Sequence, residues 1–275
     1  MPVRFSRPIA AVLVLAAILP FGVCAAWGKT TRADTQYVAR DVNTLYTLAK
    51  KRLDQGDFAL AAALFDEVER QHPYSIWARR AQLMSAFSYY AARDHVKSIE
   101  SARRFLSIHP GNKDAPYANY LIALNYYEQI PDVTRDQAST RQARDALGEL
   151  VRRYPDTRYA ADARLKMDLV YDHLAAKEMD IGRFYQRRHL WIASVIRFTP
   201  VAFSPEYCRT SQNPEALMRL TESYLALGIP EEALKSAAVL GYNHPESKWY
   251  KRAYELMRKH APAASAPPAP AHLIC

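Results

Sequence analysis

The amino-acid sequence predicts an all-α chain, an α-solenoid of about five helical hairpins closed by a C-terminal capping helix. Three observations carry that expectation. A junction motif recurs: His72-Pro73-Tyr74-Ser75-Ile76-Trp77, Tyr154-Pro155-Asp156-Thr157-Arg158-Tyr159 and His244-Pro245-Glu246-Ser247-Lys248-Trp249, with a looser copy at His109-Pro110-Gly111-Asn112. Its prolines stand 37, 45 and 90 residues apart, and 90 is two periods of 45, the spacing of a helical repeat array. Between junctions, apolar residues recur at helical spacing, as in Leu45, Leu48, Ala49 and Leu53, then Leu60, Ala61, Leu64, Phe65 and Val68. Only 8 of the 275 residues are glycine, too few for a fold built on many left-handed turns or a glycine-rich phosphate loop.

The chain opens with Arg4 and Arg7 and then an uncharged, mostly apolar run from Ile9 to Val23. Fifteen helical residues span about 22 Å, short of the roughly 30 Å hydrocarbon core, so residues 1–23 read as an export signal and not as a permanent anchor. The run ends Leu19-Pro20-Phe21-Gly22-Val23-Cys24, which resembles the site where a lipoprotein precursor is cleaved and its cysteine acylated. On that reading Cys24 is lipidated. Val23 stands where Gly, Ala or Ser is usual, and the competing reading is ordinary cleavage after Ala25 or Ala26. Residues 24–37 form a linker, residues 38–260 the helical domain, and residues 261–275, rich in Ala and Pro, a disordered tail.

Each repeat has a physical logic. The junction proline ends one helix, because it lacks a donor and its ring clashes with the preceding turn. Two residues later Ser75, Thr157 or Ser247 can accept from the free N–H groups that open the next helix, and the following aromatic packs back on the neighbouring hairpin. Gln55-Gly56-Asp57-Phe58 makes the tight turn within the first hairpin. The five hairpins fall at about 38–73, 76–110, 115–155, 159–206 and 213–245, with the capping helix at 246–260. The third carries an insertion, Ile130 to Asp136, and the fourth a long first helix, Tyr159 to Arg187. The fifth opens with Asn213 as N-cap and Pro214 at N1. One stretch breaks the pattern: after Trp191, Ser194, Val195 and Phe198, Thr199-Pro200 and Ser204-Pro205 should stop the helix early, because an interior proline costs about 3 kcal/mol.

Ala49, Gly56, Ala61, Phe65 and Pro73, and again Leu220, Tyr224, Gly228, Ala233 and Pro245, occupy the small, turn, aromatic and terminating positions of the tetratricopeptide (TPR) pattern, which the chain therefore resembles. A large side chain at Ala61 or Ala233 should destabilise the fold by about 1–3 kcal/mol through overpacking, measurable by urea denaturation. A closer resemblance rests on His72-Pro73-Tyr74-Ser75-Ile76-Trp77-Ala78-Arg79-Arg80-Ala81-Gln82-Leu83, on Ser88-Tyr89-Tyr90, on Tyr120 with Tyr126-Tyr127-Glu128-Gln129-Ile130, on Arg152-Arg153-Tyr154 and on Arg187-Arg188-His189-Leu190-Trp191-Ile192-Ala193. These segments resemble the BamD family, TPR lipoproteins of the outer-membrane β-barrel assembly machinery, over about residues 38–260.

That resemblance implies a non-enzymatic scaffold, lipid-anchored at the periplasmic face of the outer membrane, with no cofactor. Its implied partners are the barrel assembly protein, accessory assembly lipoproteins and unfolded outer-membrane proteins, whose extended, aromatic-rich signals would enter a groove in the N-terminal repeats. Tyr74, Trp77, Tyr89 and Tyr90 are the candidates for that groove. Tyr89 and Tyr90 are adjacent and cannot both face inward, so one should be exposed. Arg187, Arg188 and Arg197 are the candidates for the surface that meets the barrel assembly protein, since arginine pairs well with acidic partners.

Other classes fit less well. The eight histidines are dispersed, and His72 and His244 occupy equivalent repeat junctions, as structural residues do and catalytic ones do not. Cys24, Cys208 and Cys275 are too far apart in sequence for a C-x-x-C pair. The net charge of +9 falls to +7 once Arg4 and Arg7 are removed, and the remaining positive pairs are interspersed with acids. With an export signal, nucleic acid is not an expected partner. A periplasmic TPR adaptor of cell-division or peptidoglycan machinery is the alternative scaffold.

Overall fold

The structure is a computed structural model that describes residues 41–261, all within one compact unit. The export signal, Cys24, the linker, Cys275 and all of the tail after Ala261 lie outside the described residues. Among the described residues there are eleven helices and no strands. They pair as five hairpins: α1 (Val42–Asp54) with α2 (Phe58–Gln71), α3 (Ile76–Ala91) with α4 (His95–Ile108), α5 (Ala115–Glu128) with α6 (Ala138–Arg153), α7 (Arg158–Arg187) with α8 (Trp191–Phe203), and α9 (Asn213–Ala226) with α10 (Pro230–Asn243). The capping helix α11 (Lys248–His260) packs on α9 and α10.

The junction logic holds in detail. Ser75, Thr157 and Ser247 each sit in extended backbone and accept from the N–H three residues on, opening α3, α7 and α11. The turn within a hairpin needs one left-handed residue. Gly56 (φ 79°) and Gly228 (φ 74°) supply it in the first and fifth hairpins without a Cβ penalty, while Arg93 (φ 63°) and His189 (φ 59°) adopt it in the second and fourth. Ala61 and Ala233 are fully buried, as close helix approach requires. The core is a ladder of clusters handed from hairpin to hairpin: Tyr126 and Ala146 touch both the second-repeat and third-repeat clusters, and Tyr207 touches both the third-repeat and C-terminal ones.

The third-repeat insertion is tied to the long helix beside it. His173 Nε2 lies 2.8 Å from the Pro131 carbonyl, and Lys177 Nζ donates to the Thr134 carbonyl at 2.8 Å. The 30-residue α7 thus has a surface for the insertion as well as for α8.

Two expectations are corrected. The helix α8 does not stop before Pro200 but runs through it to Phe203. Pro200 and Ile196, whose carbonyl loses its partner, lie on the exposed side of the helix, while Phe198, Val201 and Ala202 are buried on the inner side. Burying a large apolar side chain is worth about 1.5–3 kcal/mol, so Phe198 and Val201 together outweigh the roughly 3 kcal/mol cost of one interior proline. The helix ends one step later, where Ser204 is extended (ψ 141°) ahead of Pro205. Second, Asn213 is not the N-cap of α9. Gln212 holds that position, and Asn213 is the first helical residue. Its Nδ2 instead donates to the Val201 and Ala202 carbonyls at 3.1 and 2.9 Å, closing the open end of α8. Cys208, in the connection between α8 and α9, is a free, half-buried thiol.

Candidate functional site

Two grooves carry the sequence-predicted surface residues. The first, about 450 Å³, lies where α2 ends, α3 begins and α4 ends. Pro73 stops α2, the Ser75 cap starts α3, and the residue between them, Tyr74, is left with its whole side chain in solvent. Ile76 and Ile108 form an exposed apolar rim with it. Below the rim runs a polar chain. Arg104 pairs with Glu69 at 2.9 Å, and Glu69 accepts from Gln82 Nε2 at 2.6 Å. Neighbouring Asp66 accepts from the Ser85 and Tyr89 hydroxyls at 2.5 and 2.7 Å.

Of the four aromatic candidates, the structure brings only Tyr74 to this groove. Trp77 packs inward between repeats, its ring 4.7 Å from that of Tyr46 and within the cluster around Leu45 and Phe65. Neither Tyr89 nor Tyr90 is exposed, against expectation; both are half-buried. The two rings splay to different acids, Tyr89 to Asp66 and Tyr90 to Glu128, so each hydroxyl has a partner despite their adjacency. Burial, and then the bond to Asp66, push the Tyr89 hydroxyl far above its ordinary value; burial and the Glu128 bond push Tyr90 up to about 12. Both remain proton donors.

The second groove, about 440 Å³, lies between the α7–α8 turn, α9 and α11. Trp191, Leu225 and Leu256 give it apolar walls, and Arg187, Arg219, Glu222 and His260 its polar ones. Arg219 is held by Glu215, Glu222 and Gln186 at 3.1–3.2 Å, and Arg183 grips Glu215 with two bonds at 2.9 and 2.7 Å. Arg187 stands free on the rim. Arg188 lies outside the groove with its guanidinium 4.2 Å from the Phe184 ring centre. Arg197 is also outside, half-buried and paired with Glu178 at 3.1 Å. The sequence reading thus placed one of its three arginines in the groove. It missed Arg219 and Glu222, whose mid-helix positions resemble any solvated pair until the helices are packed.

The Arg183–Glu215–Arg219 cluster has a pH consequence. Burial pushes the Glu215 carboxyl up, but its bonds to Arg183 and Arg219 outweigh that and leave it below the usual glutamate value. A carboxyl lowered by folding contributes stability above its unfolded pKa and loses it as pH falls through the folded one. Wild-type protein should therefore lose more stability below about pH 4.5 than Glu215→Gln does. Thermal midpoints measured from pH 7 to pH 3 check this: the gap between the two proteins should narrow with acid.

Among the described residues no helix is long and apolar enough to cross a membrane, and no cluster of three His, Cys, Asp or Glu side chains could hold a metal ion.

The comparisons with known proteins agree with the resemblance seen in the repeat junctions. The family model described as an outer membrane lipoprotein, YfiO, matches residues 38–240. The outer membrane protein assembly factor BamD of Caulobacter vibrioides is 49% identical over 249 residues, covering 90% of this chain and 79% of that one. Its counterpart in Rickettsia prowazekii is 38% identical over 257 residues, covering 94% and 99%. A solved thermophilic TPR protein of Thermus thermophilus aligns over 78% of this chain with 16% identity and a TM-score of 0.34. With a family model spanning most of the helical domain and relatives this similar over most of their length, the chain belongs to the BamD family.

Proposed function

We propose that this chain is a non-catalytic scaffold of the outer-membrane protein assembly machinery, anchored through lipidated Cys24 at the periplasmic face of the outer membrane. The observation that carries this reading is its similarity, along almost the whole chain, to relatives named as outer membrane protein assembly factors. The two grooves divide the work. The N-terminal one, with Tyr74 fully exposed beside Ile76 and Ile108, takes extended aromatic segments of unfolded outer-membrane proteins. The C-terminal one, with Arg187 on its rim and Arg188 and Arg197 on the adjoining surface, meets the periplasmic part of the barrel assembly protein. Accessory assembly lipoproteins complete the complex.

Crosslinking in intact cells followed by purification tests this. The barrel assembly protein should be recovered in near-stoichiometric yield. Arg187→Glu with Arg188→Glu should lower that yield about tenfold, the effect of about 1.4 kcal/mol in affinity. Tyr74→Ala should leave it unchanged while reducing crosslinks to unfolded substrates. Recovery of division or peptidoglycan proteins in place of the barrel assembly protein would sink the assembly role and leave the TPR scaffold standing.

A further inference from the structure

Among the described residues three buried side-chain polar atoms have no hydrogen-bond partner: Gln82 Oε1, Ser204 Oγ and Asn243 Nδ2. Buried polar groups in folded proteins are nearly always satisfied, so each exception calls for a reason. Ser204 and Asn243 line neither groove; Gln82 lines the N-terminal one.

Its orientation is locked. The side chain is only 4% exposed, and its Nε2 donates to Glu69 Oε1 at 2.6 Å. Turning the amide over would set Oε1 against that carboxylate oxygen. Glu69 cannot swing away, because Arg104 holds its other oxygen at 2.9 Å, and Arg104 also lies 3.7 Å from Asp66. The amide is thus fixed with one N–H bound to Glu69 and its buried carbonyl oxygen without a partner, in a residue that lines a groove with an apolar rim.

We propose that Gln82 is a substrate-binding residue whose Oε1 accepts a backbone N–H from an extended, aromatic-bearing polypeptide seated in the N-terminal groove. This rests on the reading of that groove given above and adds what its occupant must offer. An extended strand alternates side chains with main-chain donors along its length. Side chains that lie against Tyr74, Ile76 and Ile108 bring an intervening N–H toward the floor. An acceptor that reads main chain is indifferent to sequence, which suits a groove serving many different substrates.

The test is a fluorescence-anisotropy titration of the full chain with a labelled decapeptide of alternating aromatic and polar residues. A set of analogues, each N-methylated at one backbone nitrogen, is measured in parallel. In wild-type protein, methylation at one position should weaken binding about tenfold, the size of one lost hydrogen bond. Gln82→Met keeps the side-chain volume and removes the acceptor. It should bind the unmethylated peptide about tenfold more weakly and show no further loss from that methylation. Gln82→Met also loses the Nε2 bond to Glu69, so its thermal midpoint should fall modestly whatever the carbonyl does, and the methylation comparison decides. A merely structural glutamine would leave the methylation penalty intact.

An equal penalty in both proteins, or none at any position in wild type, overturns the role of Gln82. If Tyr74→Ala still weakens peptide binding in that case, the groove reading survives. Absence of peptide binding by wild type, or indifference to Tyr74→Ala, overturns the groove reading and the role of Gln82 with it.

Discussion

Phe198→Ala is expected to destabilise the protein by about 3–5 kcal/mol, the cost of emptying a fully buried aromatic site. Phe198 joins the long α7 to the C-terminal cluster, of which Met179 on α7 and Leu217 on α9 are also members. Its ring also reaches the backbone of α7 at Gly182. A Cβ built there would stand 2.3 Å from Phe198 Cε1 and under 3 Å from two further ring atoms. Gly182→Ala, which in an exposed helix would gain about 1 kcal/mol of propensity, should here cost about 1–3 kcal/mol. The two sites should be strongly non-additive, because Gly182→Ala adds a methyl to the volume that Phe198→Ala empties. Urea denaturation of the two single variants and the double checks this. An additive double variant would mean that Phe198 and Gly182 are not in contact.

The second large effect is expected at Asn213. Its side chain is fully buried and bonds three ways: Nδ2 to two carbonyls at the end of α8, and Oδ1 to His244 Nε2 at 3.0 Å. With Nδ2 spent on carbonyls, Oδ1 must accept, so Nε2 is the protonated nitrogen of His244. Asn213→Ala leaves two carbonyls and an imidazole N–H without their partner. It should cost about 3 kcal/mol, at the upper end for an unsatisfied buried group because more than one is exposed. Asn213→Asp should be at least as damaging, since a carboxylate would face the Val201 and Ala202 oxygens. Burial holds His244 below its ordinary pKa, so at neutral pH it is the neutral imidazole with its one proton on Nε2, donated to Asn213. A melt showing Asn213→Ala within about 0.5 kcal/mol of wild type, the range of an ordinary surface substitution, would refute the capping role.

Both effects sit in or beside the stretch that breaks the repeat pattern, where the sequence predicts an early helix stop at Pro200. Local rules price Pro200 against the helix because they count the lost bond and the ring clash, and nothing else. What keeps α8 going is the burial of Phe198 and Val201 between α7 and α9, which sequence adjacency does not reveal. Asn213 misled for a related reason. An asparagine before a proline at a helix start reads as an N-cap, yet its amide looks backward to close the preceding helix. The grooves show the same limit. The sequence put Tyr74, Trp77, Tyr89 and Tyr90 forward together, and what separates Tyr74 from the other three is only which neighbour fills the space beside each ring. Gln82 carries no sequence signal at all; it matters because Glu69 and Arg104, from two other helices, fix one face of its amide.

Sequence alone was enough to determine the all-α repeat architecture, the hairpin order and the long α7, because these follow from local physics repeated at a fixed period: proline stops, hydroxyl caps, left-handed glycines and the 3.6-residue apolar stripe. The family was legible only as a resemblance of particular segments. Only the tertiary structure decided which aromatics face solvent, which arginines are already paired and which buried amide is left with an open acceptor. Those properties belong to the contacts between one hairpin and the next, and the sequence period does not encode the contacts themselves.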